Sequence, residues 1–160
     1  MNEPANYLGI SLGVRRLGMA IGTRAELIDW QIKGFDETYS RKKVKKIWRA
    51  IEHIIERYDI QVIGVKLPPK HLRREGLTYC LKYVTEKALE KDCTLYFCDL
   101  ADIEAHFLKI KPKKKIELAE AISDKYPELK KEYFKLKKCE YHMKVFEAVG
   151  ALELAFNESL

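Results

Sequence analysis

The sequence predicts an α/β fold: a mixed five-stranded sheet, three antiparallel strands followed by parallel ones, flanked by helices. Two observations carry that prediction. The first is the stretch Tyr7 to Gly22, YLGISLGVRRLGMAIG. Here Leu8 and Ile10, then Leu17, Met19 and Ile21, recur with a strand's period of two, and Gly13 marks the reversal of a hairpin. The second is the sequel, in which segments of helical period alternate with two short, almost wholly apolar runs, QVIGVKL and TLYFC.

The face of the hairpin opposite these aliphatics is small, with Gly9, Gly18, Ala20 and Gly22. Such a face admits either a ligand or a closely packed helix, and the stretch alone does not choose between them. Glu26 to Lys33 then alternates, Ile28, Trp30 and Ile32 against Asp29, Gln31 and Lys33, as expected of a third strand with one wet face. Ser40 is placed to cap a helix, and Val44, Ile47, Trp48, Ile51, Ile54, Ile55 and Tyr58 follow at helical spacing. Its other face bears Arg41, Lys42, Lys43, Lys45, Lys46 and Arg49, read as a solvated surface.

Gln61 to Leu67, ended by Pro68 and Pro69, reads as a central strand, and about Arg74 to Glu90 as a helix. Thr94 to Cys98 is a further buried strand, leading into a helix near Asp102 to Leu108. A basic loop, Lys109 to Lys115, is broken by Pro112 and precedes a helix marked by Ile116, Ala119 and Ile122. Glu128 to Lys138 is charged, with Tyr133, Phe134 and Leu136 interspersed. The last element is an amphipathic helix with Tyr141, Val145, Ala148, Val149, Leu152 and Phe156 on one face.

The 160 residues, 18.7 kDa and 47% hydrophobic, suit one compact domain spanning 1–160. Thirty Lys and Arg against 24 Asp and Glu leave a net charge of +6, which favours anionic partners if the positive charge lies along one groove. Cys80, Cys93, Cys98 and Cys139 show no CxxC spacing and read as reduced, mostly buried thiols. The opening MNEPAN lacks the pattern of a signal peptide, and no apolar run is long enough to cross a bilayer, so no membrane association and a cytoplasmic location are expected.

Four segments, in order, resemble the ribonuclease H-like superfamily, and within it the RuvC-type resolvases and their YqgF relatives. GISLGVRRLGMAIG is similar to the opening hairpin, and VIGVKLPP to the short strand that ends in a glutamate. IKPKKKIELAEAI is similar to the basic loop and the helix after it, and YHMKVFEAVGALELAF to the final helix with its two acids. The resemblance implies a nuclease built on a carboxylate cluster, holding two divalent cations about 4 Å apart. Carried over by residue, the first-strand aspartate falls on Ser11, the strand-end glutamate on Lys66 and the earlier acid of the last helix on Lys144. Only Glu147 keeps a carboxylate.

One carboxylate with two ammonium groups repels cations rather than holding them. The expectation is therefore a catalytically degenerate protein, with neither metal nor other cofactor, that binds nucleic-acid backbone (a DNA junction or duplex) without cleaving it. Ser11, Arg15, Arg16, Lys66, Lys70, Lys113, Lys114, Lys115 and Lys144 would contact it, with Arg73 and Arg74 extending the track. Lys66 or Lys144 pairing with Glu147 is the plainer role for those lysines, and a homodimer is a further expectation. Two alternatives stand beside this reading. One is a Mg- or Mn-dependent nuclease rearranged around Asp29, Asp99 and Glu147; the other is a protein-docking scaffold. Asp99, Asp102 and His106 offer a weaker metal set, and Tyr133 and Phe134 a weak base-stacking surface.

Overall fold

The computed structural model describes residues 5–159; the first four residues of the MNEPAN opening, and Leu160, lie outside the described residues. The strands are β1 (Tyr7–Leu12), β2 (Arg16–Gly22), β3 (Leu27–Gly34), β4 (Val62–Lys66) and β5 (Thr94–Cys98). They form one sheet in the order β3-β2-β1-β4-β5. β1 pairs antiparallel with β2, and β2 with β3, whereas β4 lies parallel to β1 and β5 parallel to β4. The helices are α1 (Arg41–Tyr58), α2 (Glu75–Glu90), α3 (Leu100–Phe107), α4 (Lys115–Lys125), α5 (Lys130–Leu136) and α6 (Met143–Glu158).

Strand alternation sorts the core into two layers. Leu8, Ile10, Leu12, Ile63 and Val65 point to α1 and α2, whose Val44, Ile47, Ile51, Leu77 and Val84 close that side. Tyr7 and Ala20 point to the other face, which α6 covers together with Ile103, Leu118 and Ile122 from α3 and α4. Ser40 caps α1, its hydroxyl accepting from the Lys43 amide at 3.2 Å, and Asp59 ends it in the left-handed region at φ 52°.

The small face of the hairpin is filled by a helix. Gly18, Gly9 and Gly64 lie beneath Lys144, Ala148 and Ala151 of α6, so closely that a Cβ at any of the three would overlap the facing main-chain carbonyl. The rows of α6 thus cross the sheet from β2 through β1 to β4, and this crossing places Lys144 and Glu147 over the carboxyl ends of β1 and β4. No helix among the described residues is long and apolar enough to cross a membrane.

Four expectations change. Thr94 to Cys98, read as a buried strand, is the edge strand β5, and Phe97 is left 49% exposed because no further strand among the described residues pairs beyond it. A bulge between Ile21 and Gly22 shifts the β2–β3 register, so Leu27 joins Trp30 and Ile32 against α6 and Ile28 is left 39% exposed. The last helix is not amphipathic: from Val145 to Glu153 every residue is buried, because the sheet covers one side and α3 and α4 the other. Tyr141 belongs to the short turn Glu140–His142 before it and is exposed. Lys43, read as solvated, is fully buried. Its ammonium donates to the Val14 carbonyl at 2.8 Å and the Glu37 carbonyl at 2.7 Å, and sits 4.1 Å from the centre of the Tyr39 ring. It ties the tip of the β1–β2 hairpin to α1.

Candidate nucleic-acid interface

The centre of the site forms because two adjacent strands end on the face that α6 covers. Ser11 of β1 and Lys66 of β4 are register partners and point to the same side. Glu147 descends onto them from α6. Its Oε1 accepts from the Ser11 hydroxyl at 2.9 Å, pairs with the Lys66 ammonium at 3.0 Å and accepts from Lys144, one turn earlier on the same helix, at 3.3 Å. Ser11 is wholly buried, and the Lys66 and Glu147 side chains are only 3% and 9% exposed, against 21% for Lys144.

Burial alone would push the Glu147 carboxyl up, but the Lys144 and Lys66 ammonium groups outweigh it and hold the acid below its ordinary range. Lys144 moves down from the ordinary lysine range, chiefly through burial, and Lys66 and Lys115 push the same way while Glu147 opposes them. With two ammonium groups against one carboxylate, the centre is a net cation.

Beside it opens a cleft of about 270 Å³ whose walls include Lys144, Glu147 and Lys115. Gly13, at the hairpin turn, packs against the Lys144 side chain: a Cβ there would stand 3.0 Å from Lys144 Cε. Arg16 pairs with Asp36 at 3.0 Å and lies over the Tyr141 ring, whereas Arg15, Lys70, Lys113 and Lys114 are exposed. Arg73 donates to the Pro68 carbonyl at 2.8 Å, which braces the loop after β4. Arg74 is exposed ahead of α2.

The acids considered for a rearranged centre do not assemble. Asp29, register partner of Ile21, faces α1, where it accepts from the Tyr58 hydroxyl at 3.2 Å, on the far side of the sheet from Glu147. Asp99 caps α3 in a reciprocal capping box with Asp102. His106 turns towards Glu153 of α6, at 3.6 Å, rather than towards Asp99. Tyr133 packs on the α6-side core while Phe134 is 60% exposed. Among the described residues no three His, Cys, Asp or Glu side chains come together as a metal site would require.

The pair of divalent cations that the resemblance implies does not fit these residues. A hydroxyl and two ammonium groups stand where acids would have to, and the single carboxylate oxygen that faces them is already triply bonded. Sequence reasoning missed a second buried charge on α6. Glu153, 5% exposed, pairs with Lys125 of α4, and its Oε2 is buried with no hydrogen-bond partner. Its signal was a glutamate between Leu152 and Leu154 in a helix apolar on every side.

No protein-family model and no curated protein matches the chain. Solved structures do. RuvC of Thermus thermophilus superposes with a TM-score of 0.61 at 17% identity, over 74% of this chain and 78% of that one. The same enzyme in complex with a Holliday-junction substrate gives 0.55 at 17% identity, over 66% and 71%. The fowlpox virus resolvase, in complex with its Holliday-junction DNA, gives 0.53 at 14% identity, over 96% and 99%. The chain shares the fold of these RuvC and poxvirus resolvase structures.

Proposed function

We propose that this protein uses a RuvC-like fold to bind the sugar-phosphate backbone of nucleic acid, branched DNA foremost, without hydrolysing it. The observation that carries the reading is the convergence of Lys66 and Lys144 on one oxygen of Glu147, beside Ser11. Hydrolysis by the two-cation route requires negative charge there to hold the metals. An ammonium pair supplies the opposite field, one suited to a phosphate. The fold likeness supports the choice of ligand, because two of the resolvases that share it are bound to Holliday-junction DNA. The exposed Arg15, Lys70, Lys113 and Lys114 would extend the contact along the backbone, with Arg16 and Lys115 at its centre.

The test is a salt titration of binding to a four-way DNA junction, a linear duplex and an RNA hairpin, for the native chain and for Lys144→Gln. The reading expects junction binding that weakens steeply with salt and falls in the variant. Absence of binding to all three at low salt would overturn it.

A further inference from the structure

The cleft beside Glu147 is the wrong shape for a strand that only passes over a surface. It is a recess of about 270 Å³, just under the roughly 300 Å³ at which sites for small organic ligands begin. Its walls are mixed. Ile116, Leu136, Met143 and Tyr141 contribute apolar and aromatic surface, Lys115 and Lys144 contribute the cations, and two carboxylates also line it, Glu147, which is held by Lys66 and Ser11, and the solvent-exposed Glu140. Backbone contacts call for charge alone; an apolar recess adjoining two cations calls for a ligand with an anionic end and a flat, poorly hydrated end.

The two lysines on Glu147 are not equivalent. Lys66 is held at 3.0 Å and almost wholly enclosed, so it is the fixed counter-ion. Lys144 is held at 3.3 Å, is the more exposed of the two and itself lines the recess, so it can turn to a ligand while Glu147 keeps Lys66 and Ser11.

We propose that this recess receives a single nucleotide unit, terminal or unpaired, with its phosphate between Lys144 and Lys115 and its base against Ile116, Leu136 and Met143. The ligand class is a nucleoside monophosphate. This rests on the backbone-binding reading and narrows it, giving the protein a reason to prefer ends and branch points over continuous duplex. Lys144, whose ammonium burial disfavours, regains a full charge partner when the phosphate arrives, so binding takes up protons at alkaline pH.

The experiment is calorimetric titration of the native chain at low salt with adenosine 5′-monophosphate, adenosine and inorganic phosphate, repeated with Lys144→Gln after its fold is checked by circular dichroism. The monophosphate should bind at least about tenfold more tightly than either fragment, and Lys144→Gln should lose about tenfold. At alkaline pH, where the ligand phosphate is already a dianion, the heat should vary with the ionisation enthalpy of the buffer, a readout that needs no variant. Inorganic phosphate binding as tightly as the monophosphate would overturn the inference, as would a variant with native affinity. Junction DNA that binds while the monophosphate does not would overturn it and leave the backbone reading standing; failure of both ligands would remove both.

Discussion

Helix α6 carries two buried carboxylates less than two turns apart, and they live differently. Glu147 draws its donors from the sheet, Ser11 and Lys66, and from its own helix, Lys144, all on one oxygen. Glu153 draws its cation from the surface: Lys125 is 53% exposed, and the second oxygen faces His106 at 3.6 Å without a bond. Burial is nearly equal, 7% and 5%. What separates them is the provenance of the cations. Lys66 cannot retreat to water if its acid is removed, whereas Lys125 can, so only the first cluster stores its charge in the core. Only the first also opens on a cleft with a further cation, Lys115.

The largest expected effect tests that contrast directly. Glu147→Ala leaves Lys66 buried without its acid and should cost about 4 kcal/mol of unfolding free energy. Glu153→Ala frees a lysine that already reaches solvent and should cost about 1 kcal/mol. Equal losses in denaturant unfolding would erase the distinction.

Next in size is a pH effect confined to the Glu147 cluster. Lys144 sits below the ordinary lysine range, so its charge is lost, as pH rises, sooner than that of an exposed lysine. Affinity for junction DNA should therefore fall, by about tenfold in all, as pH rises towards the ordinary lysine range. In Lys144→Gln the fall should be shallower.

A smaller effect is read in salt. Removing one phosphate contact lowers the slope of log affinity against log salt by about 0.9 for duplex DNA. Lys144→Gln should show that reduction and Lys125→Gln should not, because Lys125 serves Glu153 away from the cleft. The least effect sharpens the picture at Glu153. Burial and then the Lys125 ammonium hold the His106 imidazole low, so Lys125→Met should raise its titration midpoint, read by NMR. An unmoved midpoint would show that the Lys125 charge does not act on the His106 imidazole.

The sheet was legible because strand period is a local signal. Leu8, Ile10, Met19 and Ile21 announce their face without reference to anything distant, and the two short apolar runs mark the parallel strands, although only β4 is covered on both sides while β5 lies at the sheet edge. The order of motifs then put Ser11, Lys66, Lys144 and Glu147 in one place before any distance was known. The misreadings share a cause, which is that burial of a charge depends on partners far along the chain. Lys43 precedes Val44 and stands one turn ahead of Ile47, on the apolar side of α1, yet its burial is decided by carbonyls of the hairpin tip and the loop before α1. The bulge at Ile21 and Gly22 turned Ile28 outward, a displacement of one residue that alternation cannot foresee. Asp29 followed the same pleat to the wrong side of the sheet for a role beside Glu147.

The measurement that bears most directly on the central claim is incubation of the native chain with a labelled four-way DNA junction in magnesium, and again in manganese, at a concentration where binding is complete by gel shift. The account predicts a retarded junction whose strands all run intact on a denaturing gel, in either metal and at every time. Strand scission that requires the metal and disappears in Glu147→Gln would contradict it, because the centre formed by Ser11, Lys66, Lys144 and Glu147 would then be supporting the chemistry that its charge opposes.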